Sequence, residues 1–341
     1  MPKYMDIIHD SNEFGSAKLH AGMLWGFRLP YKLAIDGKSY TAHELCGYVL
    51  PSTIDIFKQD NTIAPLFDFI EPRKELHLKL EHGKDSATIE KSLFKIRAAI
   101  VAFTNTLQAD SIRDLTLNPR PLGDLGQHGQ DDMPVLGAPN PFRVHEDLAR
   151  IFGVVTSAVH LNIFGGEGDN MRIWIGHRGK YVSTYPGMLS QCVVGPSELG
   201  EEGRLAAMKH WAAKKAGFSE VVTEKVTAAG KVSFFAVREG VRGSVAQKWP
   251  EPGVRYVFDL ELPEGFLGKH KVKDRLIDGY SAEHTDDVKR LLLMKLFKPD
   301  CALVMLDLLI RKKLIPVDHP EYAAVVKGLR RELAFPHQVS L

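Results

Sequence analysis

Apolar positions along the second half of the chain alternate or recur at helical spacing, and most elements can be read from that pattern. VVTSAVHLNIF is an apolar, β-branched run that predicts a strand. GGEGDN predicts a turn and MRIWIGHR a second strand, so the three together predict a hairpin. YPGMLSQCVV leads into a further strand, and GPSELGEE forms a loop before a helix over GRLAAMKHWAAKKAGF, whose Leu205, Met208 and Ala212 make an apolar stripe. KVSFFAVRE and VRYVFDLELP predict two more strands, and helices around HTDDVKRLLLMKLF and CALVMLDLLIRKKLI close the chain. Thr285, Asp286 and Asp287 suit the N-terminal end of the first of these.

The first half patterns differently. YKLAID followed by a Gly-Lys turn predicts a strand, and LCGYVLP a short strand closed by Pro51. Leu76, Leu78 and Leu80 alternate with polar residues in ELHLKLEH, as in a half-buried strand. Past Ser86, Leu93, Ile96, Ile100 and Phe103 recur at three- and four-residue steps and predict a helix. Between Asn118 and Pro141 the Pro- and Gly-rich run NPRPLGDLGQHGQDDMPVLGAPNP has neither period and reads as a linker. The expected division is therefore an α+β domain over 1–117, a linker over 118–141 and a second domain over 142–341. Strands with helices packed on them give an α/β (α+β) sandwich as the fold class.

Composition narrows the partners. With 44% hydrophobic and 25% charged residues, the chain has the balance of a soluble globular protein. A net charge of +2 supplies no field for nucleic acid or an acidic membrane surface, and neither is expected as a partner. No apolar run approaches the roughly 20 residues of a membrane span. The start, MPKYMDIIHDSNEF, carries acidic residues and no apolar core of a signal peptide. Cys46, Cys192 and Cys301 lack metal-ligand spacing and read as reduced thiols, so a cytoplasmic protein is expected. His9, His20, His43, His77 and His82 are scattered and read as structural or surface groups.

HLNIF, IWIGHRGKYVSTYPGML, VRYVFDLELPEGF, FKPDCALVMLDLLIRKKLI and YAAVVKGLRREL resemble successive segments of one Nudix subgroup. That subgroup is the fungal and plant Nudix proteins related to thiamine-diphosphate metabolism, often labelled thiamine pyrophosphokinase-related. Residues from about Tyr31 to Arg143 resemble its N-terminal domain more loosely. The resemblance implies a Nudix fold over the C-terminal part and is compatible with a homodimer. Nudix hydrolases cut diphosphate links with Mg²⁺ or Mn²⁺ held by a loop–helix–loop motif. That motif runs Gly, five residues, Glu, seven residues, Arg-Glu, an apolar residue, any residue, Glu-Glu, any residue, Gly, apolar. A hard cation wants several carboxylate oxygens, which a helix presents on one face at i, i+3 and i+4.

This chain departs from the pattern. Anchored at Gly195 and Glu201, the motif's Arg-Glu falls on Lys209 and His210, and its Glu-Glu on Ala213 and Lys214. Anchored at Gly217 and Phe218, the same pairs become His210-Trp211 and Lys214-Lys215. Either register removes the helical carboxylates. A lysine ammonium 4 Å from a cation adds repulsion of about 4 kcal/mol per unit charge at an effective dielectric of ~20. The acidic stretch expected after the ELPEGF strand is replaced by VKDRLIDGY. Glu198, Glu201 and Glu202 remain before the helix, either as a weak ion site or as solvated residues complementing its dipole. No helix-borne metal and no other cofactor is expected.

Three functions stay open. The first is a metal-independent acid/base enzyme, of isomerase, cyclase or lyase type, acting on a small organic or prenylated metabolite. The second is a residual Mg²⁺- or Mn²⁺-dependent diphosphatase of the thiamine-diphosphate-related type. The third is a non-catalytic ligand-binding protein. For the first, His160, His177 and His210 titrate near neutrality, and Lys214 becomes a base if desolvated. Asn162, Trp174, Arg178, Tyr185 and Lys215 would supply substrate contacts, Arg178 standing where the resembled family keeps a basic residue. Each has a bland counterpart: a core histidine, a core tryptophan, a turn tyrosine, a solvated lysine face.

Overall fold

The computed structural model describes residues 3–12, 24–35, 38–106, 132–136, 138, 142–182, 185–239, 248–263 and 276–333. Two compact units emerge. One comprises Met1–Glu13, Ser157–Phe234 and Val254–Glu332, the other Phe14–Thr156, Phe235–Gly253 and Leu333–Leu341. This division differs from the expected 1–117, 118–141 and 142–341: the break falls at Ser157, and the chain's first residues group with its last helices. Most of the expected linker lies outside the described residues.

In the second of these units, β1 (Trp25–Ile35), β2 (Lys38–Val49), β3 (Phe67–Ile70) and β4 (Glu75–Leu78) form a sheet in the order β2-β1-β4-β3. β5 (Asp132–Pro134) and β6 (Arg143–His145) make a separate pair. Phe27, Phe57, Leu76, Ile89, Ile96 and Phe152 fill the core, with Phe27 and Phe152 ring centroids 4.5 Å apart. Pro51 does not close an element. It opens the helix Pro51–Gln59, where its missing N–H costs nothing at the first turn. Leu80 leaves the strand pattern and starts the short helix Leu80–Gly83. The expected helix beyond Ser86 runs over Ser86–Thr106.

The first unit holds the remaining strands: β7 (Thr156–Gly165), β8 (Arg172–Arg178), β9 (Leu189–Ser190), β10 (Val193–Pro196), β11 (Thr227–Glu239), β12 (Lys248–Glu261) and β13 (Ile277–His284). β7 contributes to it from Ser157, β11 up to Phe234 and β12 from Val254. The sheet order is β11-β12-β7-β8-β13, with β10 paired to β7 and β9 to β8. The predicted β7–β8 hairpin is present, Phe164 opposite Ile173. β13 has a mostly half-buried run, IDGYSAEH, poor in the apolar alternation that marks a strand, and pattern reading missed it.

Helices cover both faces of this sheet. Gly195 on β10 lies opposite Val159 on β7, so their side-chain directions share one face. A Cβ on Gly195 would come within 2.4–2.5 Å of the Trp211 ring, which places the helix Glu201–Trp211 on that face. His160 and Asn162 point the other way, because successive strand residues alternate. That second face carries the helix Pro299–Arg311, buried at every position from Asp300 to Ile310. A helix apolar all round must be enclosed, and the short helix Tyr4–Asp10 and the helix Tyr322–Leu329 pack against it. The expected α/β (α+β) sandwich is what forms.

Candidate functional site

The face covered by Glu201–Trp211 is built first by small residues. Gly195 admits the Trp211 ring, whose Nε1–H donates to the Pro196 carbonyl at 3.1 Å. Gly200, at φ 72°, turns the chain into the helix, and Gly217, at φ 70°, ends it after a π-helical turn over Ala212–Ala216. Along this helix and turn stand five basic groups, of which Arg204 lies 4.0 Å over the Tyr256 ring. Lys209 is paired with Glu224 at 2.8 Å, and Lys215 donates to the Val194 carbonyl at 2.7 Å. Lys214 is exposed, its ammonium 5.0 Å from the centre of the Trp211 ring. His210 is exposed as well and stands edge-on to the same ring at 5.0 Å.

Strand alternation puts Trp174 on this face. Its ring stacks on Tyr280, centroids 6.3 Å apart, and the Tyr280 hydroxyl reaches the Cys192 and Lys215 carbonyls at 3.4 and 3.5 Å. Trp174 is therefore fixed at the heart of the unit. At the far end of β8, Arg178 donates from Nε to the Tyr185 carbonyl at 3.1 Å, holding Tyr185 in a left-handed conformation at φ 50°. The pair braces the YPGM turn.

The opposite face carries His160, Asn162 and His177, and here the expected convergence of three histidines does not form. His160 is 0% exposed and bonded through Nδ1 to Gln191 at 3.0 Å. Burial, reinforced by the Arg255 cation against the pull of Asp300, drives its pKa down to about 3, so it stays neutral at physiological pH. His177 is exposed on β8 and bonded to the Ser281 hydroxyl at 2.7 Å. His210 lies across the sheet on the other helix.

What this face does contain is a buried polar framework that sequence patterning did not single out. Asp300 receives Arg255 Nε at 2.9 Å and Lys298 Nζ at 3.0 Å. Burial alone would raise its pKa, but those two cations hold it well below the usual carboxylate range. Further along the same helix, Asp307 is paired with Arg311 at 2.7 Å and with Arg330. Arg311 in turn grips both oxygens of Asp259, at 2.6 and 3.0 Å, and Asn162 donates to Asp259 at 3.1 Å. One signal for this framework was available: an aspartate inside the run CALVMLDLLI has to be paired if that run is buried.

Glu198, Glu201 and Glu202 are all exposed before and at the start of the helix. Among the described residues no three His, Cys, Asp or Glu side chains come together to hold a metal ion. The donor set present on the helix, lysine and histidine beside tryptophan, does not fit a hard divalent cation. The cysteines are buried and unreactive in kind: burial pushes the Cys46 and Cys301 thiols up to about 12, and Cys192 higher still. Among the described residues no helix is long and apolar enough to cross a membrane.

With the fold and site in place, comparison with known proteins is informative. No protein-family model matches the chain. It is 28% identical over 200 residues to Nudix hydrolase 20, chloroplastic, of Arabidopsis thaliana, covering 58% of this chain and 50% of that protein. It is also 28% identical over 203 residues to the uncharacterized protein YJR142W of Saccharomyces cerevisiae, covering 57% of this chain and 58% of that one. The match thus spans only about half the length of these relatives. A solved Nudix hydrolase from M. smegmatis, RenU, aligns over 48% of this chain and 89% of its own at 18% identity, with a TM-score of 0.33. These sequence relatives support a place for the chain in the Nudix superfamily. Those relatives include named hydrolases, so an enzyme ancestry is the coarse functional statement they support.

Proposed function

We propose that this chain is a Nudix-fold protein that handles a small organic ligand without a helix-borne divalent cation, as a non-hydrolytic enzyme rather than a pyrophosphohydrolase. One observation carries the reading. Where the family motif expects its Arg-Glu and Glu-Glu pairs, the helix and its π-turn carry Lys209-His210 and Ala213-Lys214 in one register, and His210-Trp211 and Lys214-Lys215 in the other. Of the acid–base candidates, His210 and Lys214 sit exposed on this helix and turn, within reach of a ligand, whereas His160 is sealed and neutral. Of the expected substrate contacts, Trp174 is buried against Tyr280, so half-buried Arg178 and Tyr185 at the far end of β8 remain as cationic and aromatic groups for an organic substrate.

Calorimetric titration with Mg²⁺ and Mn²⁺, paired with phosphate release from a panel of diphosphates, tests it. The expected result is no metal binding below millimolar and no phosphate. Tight binding with turnover that disappears in Glu201→Ala or Glu202→Ala overturns it and establishes the second reading, a residual metal-dependent diphosphatase. That second reading is favoured by the name of the plant relative and by the three glutamates kept at the helix start.

A further inference from the structure

The Gln191 side chain dictates the protonation of His160. Its amide Nε2–H donates to the Cys301 carbonyl at 2.9 Å, so the other end, Oε1, faces His160 Nδ1 at 3.0 Å. An amide oxygen only accepts, so Nδ1 must carry the ring proton, and Nε2 of the neutral ring is a bare lone pair. No hydrogen-bond partner reaches that lone pair among the described residues. Asp300 directly precedes Cys301, whose carbonyl accepts from the same Gln191 amide that faces the ring. Its Oδ2 takes both Arg255 and Lys298, while its Oδ1 has no partner among the described residues. Both side chains are more than nine-tenths buried.

Two buried acceptors cannot satisfy one another, and each left unpaired costs roughly 1–3 kcal/mol. Something that donates twice is required. A cation is the wrong answer, because Arg255 and Lys298 already outnumber the single charge of Asp300. We propose that the start of the Pro299–Arg311 helix closes over a site for one neutral, water-sized, two-proton donor, shared between His160 Nε2 and Asp300 Oδ1. Water is the chemical class that fits, with one O–H for each acceptor. Asn162 Oδ1, two residues along β7 on the same face, is a third buried acceptor without a partner among the described residues and extends the polar row. The site pins the Lys-Pro-Asp-Cys corner to the sheet: the Lys298 ammonium, the Asp300 carboxylate and the Cys301 carbonyl are all engaged there.

Two measurements on the full chain decide it. Nitrogen-15 NMR of the His160 ring should find Nδ1 protonated and Nε2 bare near neutral pH. A high-resolution crystal structure should show a solvent peak within hydrogen-bonding distance of both His160 Nε2 and Asp300 Oδ1, lost in His160→Leu. A protonated Nε2 bonded directly to Asp300, with the Gln191 amide reversed, overturns the proposal, and so does a dry contact with no peak. If His160→Leu does not fold, the wild-type tautomer and the wild-type peak still decide.

Discussion

Acidification should weaken the first unit through a single buried ring. His160 has its pKa lowered from 6.5 to about 3 by burial, so the folded state holds it neutral while the unfolded chain takes up a proton below 6.5. The sign follows from proton linkage. A group whose folded pKa is depressed contributes stability that is fully present above the unfolded value and lost as pH falls towards the folded one. Each pH unit in that window is worth at most about 1.4 kcal/mol, so going from pH 6.5 to 4.5 should cost roughly 2–3 kcal/mol. The window is chosen to stay above the carboxylates: Asp300, held well below its ordinary 3.8, loses its contribution only at lower pH. Burial lowers His43 as well, in the other unit, so the assay must be local. Hydrogen exchange of the β7 amides in graded urea gives that locality. In His160→Gln, which has no proton to gain, the loss of protection between pH 6.5 and 4.5 should be smaller by about 2–3 kcal/mol. The variant should also be less stable at neutral pH. Parallel pH slopes for the two proteins would refute the reasoning, whatever their absolute stabilities.

Other perturbations test the framework and the packing. Asp307→Ala removes a fully buried carboxylate from Arg311 and Arg330 and should cost about 3–5 kcal/mol. The lower end is expected, since Arg311 keeps Asp259; a loss below about 1 kcal/mol in urea denaturation would mean the pairs contribute little. Gly195→Ala would drive a methyl into the Trp211 ring at 2.4–2.5 Å, with an expected cost of about 1–3 kcal/mol and a shift in tryptophan emission. Gly47→Ala tests the other unit, because its Cβ would meet the Phe152 carbonyl at 2.2 Å and neither backbone can give way easily; a melting temperature unchanged from wild type would deny that contact.

Local patterning recovered elements whose burial is one-sided or complete. The β7–β8 hairpin and the Pro299–Arg311 helix are of this kind, because their apolar period is imposed by the faces they bury. It failed where the deciding fact is not local. Pro51 reads equally as a terminator or as the first residue of a helix, and only the following chain decides. β13 is held by its ladder to β8, not by an apolar alternation of its own. The unit boundary was out of reach for the same reason: the Tyr4 amide bonds the Glu321 carboxylate across nearly the whole length of the chain.

The candidate site divides along the same line. That His160 and Asn162 share a strand face follows from their spacing, but which face meets which helix follows only from pairing Gly195 with Val159. Once that register is known, the histidines part company and their segments acquire another meaning. HLNIF supplies His160 and Asn162, VRYVFDLELP supplies Arg255 and Asp259, FKPDCAL supplies Lys298, Asp300 and the Cys301 carbonyl, and GLRREL supplies Arg330. These are the stretches in which the family resemblance is carried, and in this fold they meet in one buried framework between sheet and helix. Charges placed there are destabilising unless every partner is present, so the residues must be kept or exchanged together. The resemblance in these stretches therefore reports the scaffold, while the helix bearing Lys209, His210, Lys214 and Lys215 lies outside it. The framework and that helix are therefore separate parts of the fold, and a change of residues on the helix would leave the framework's pairs intact.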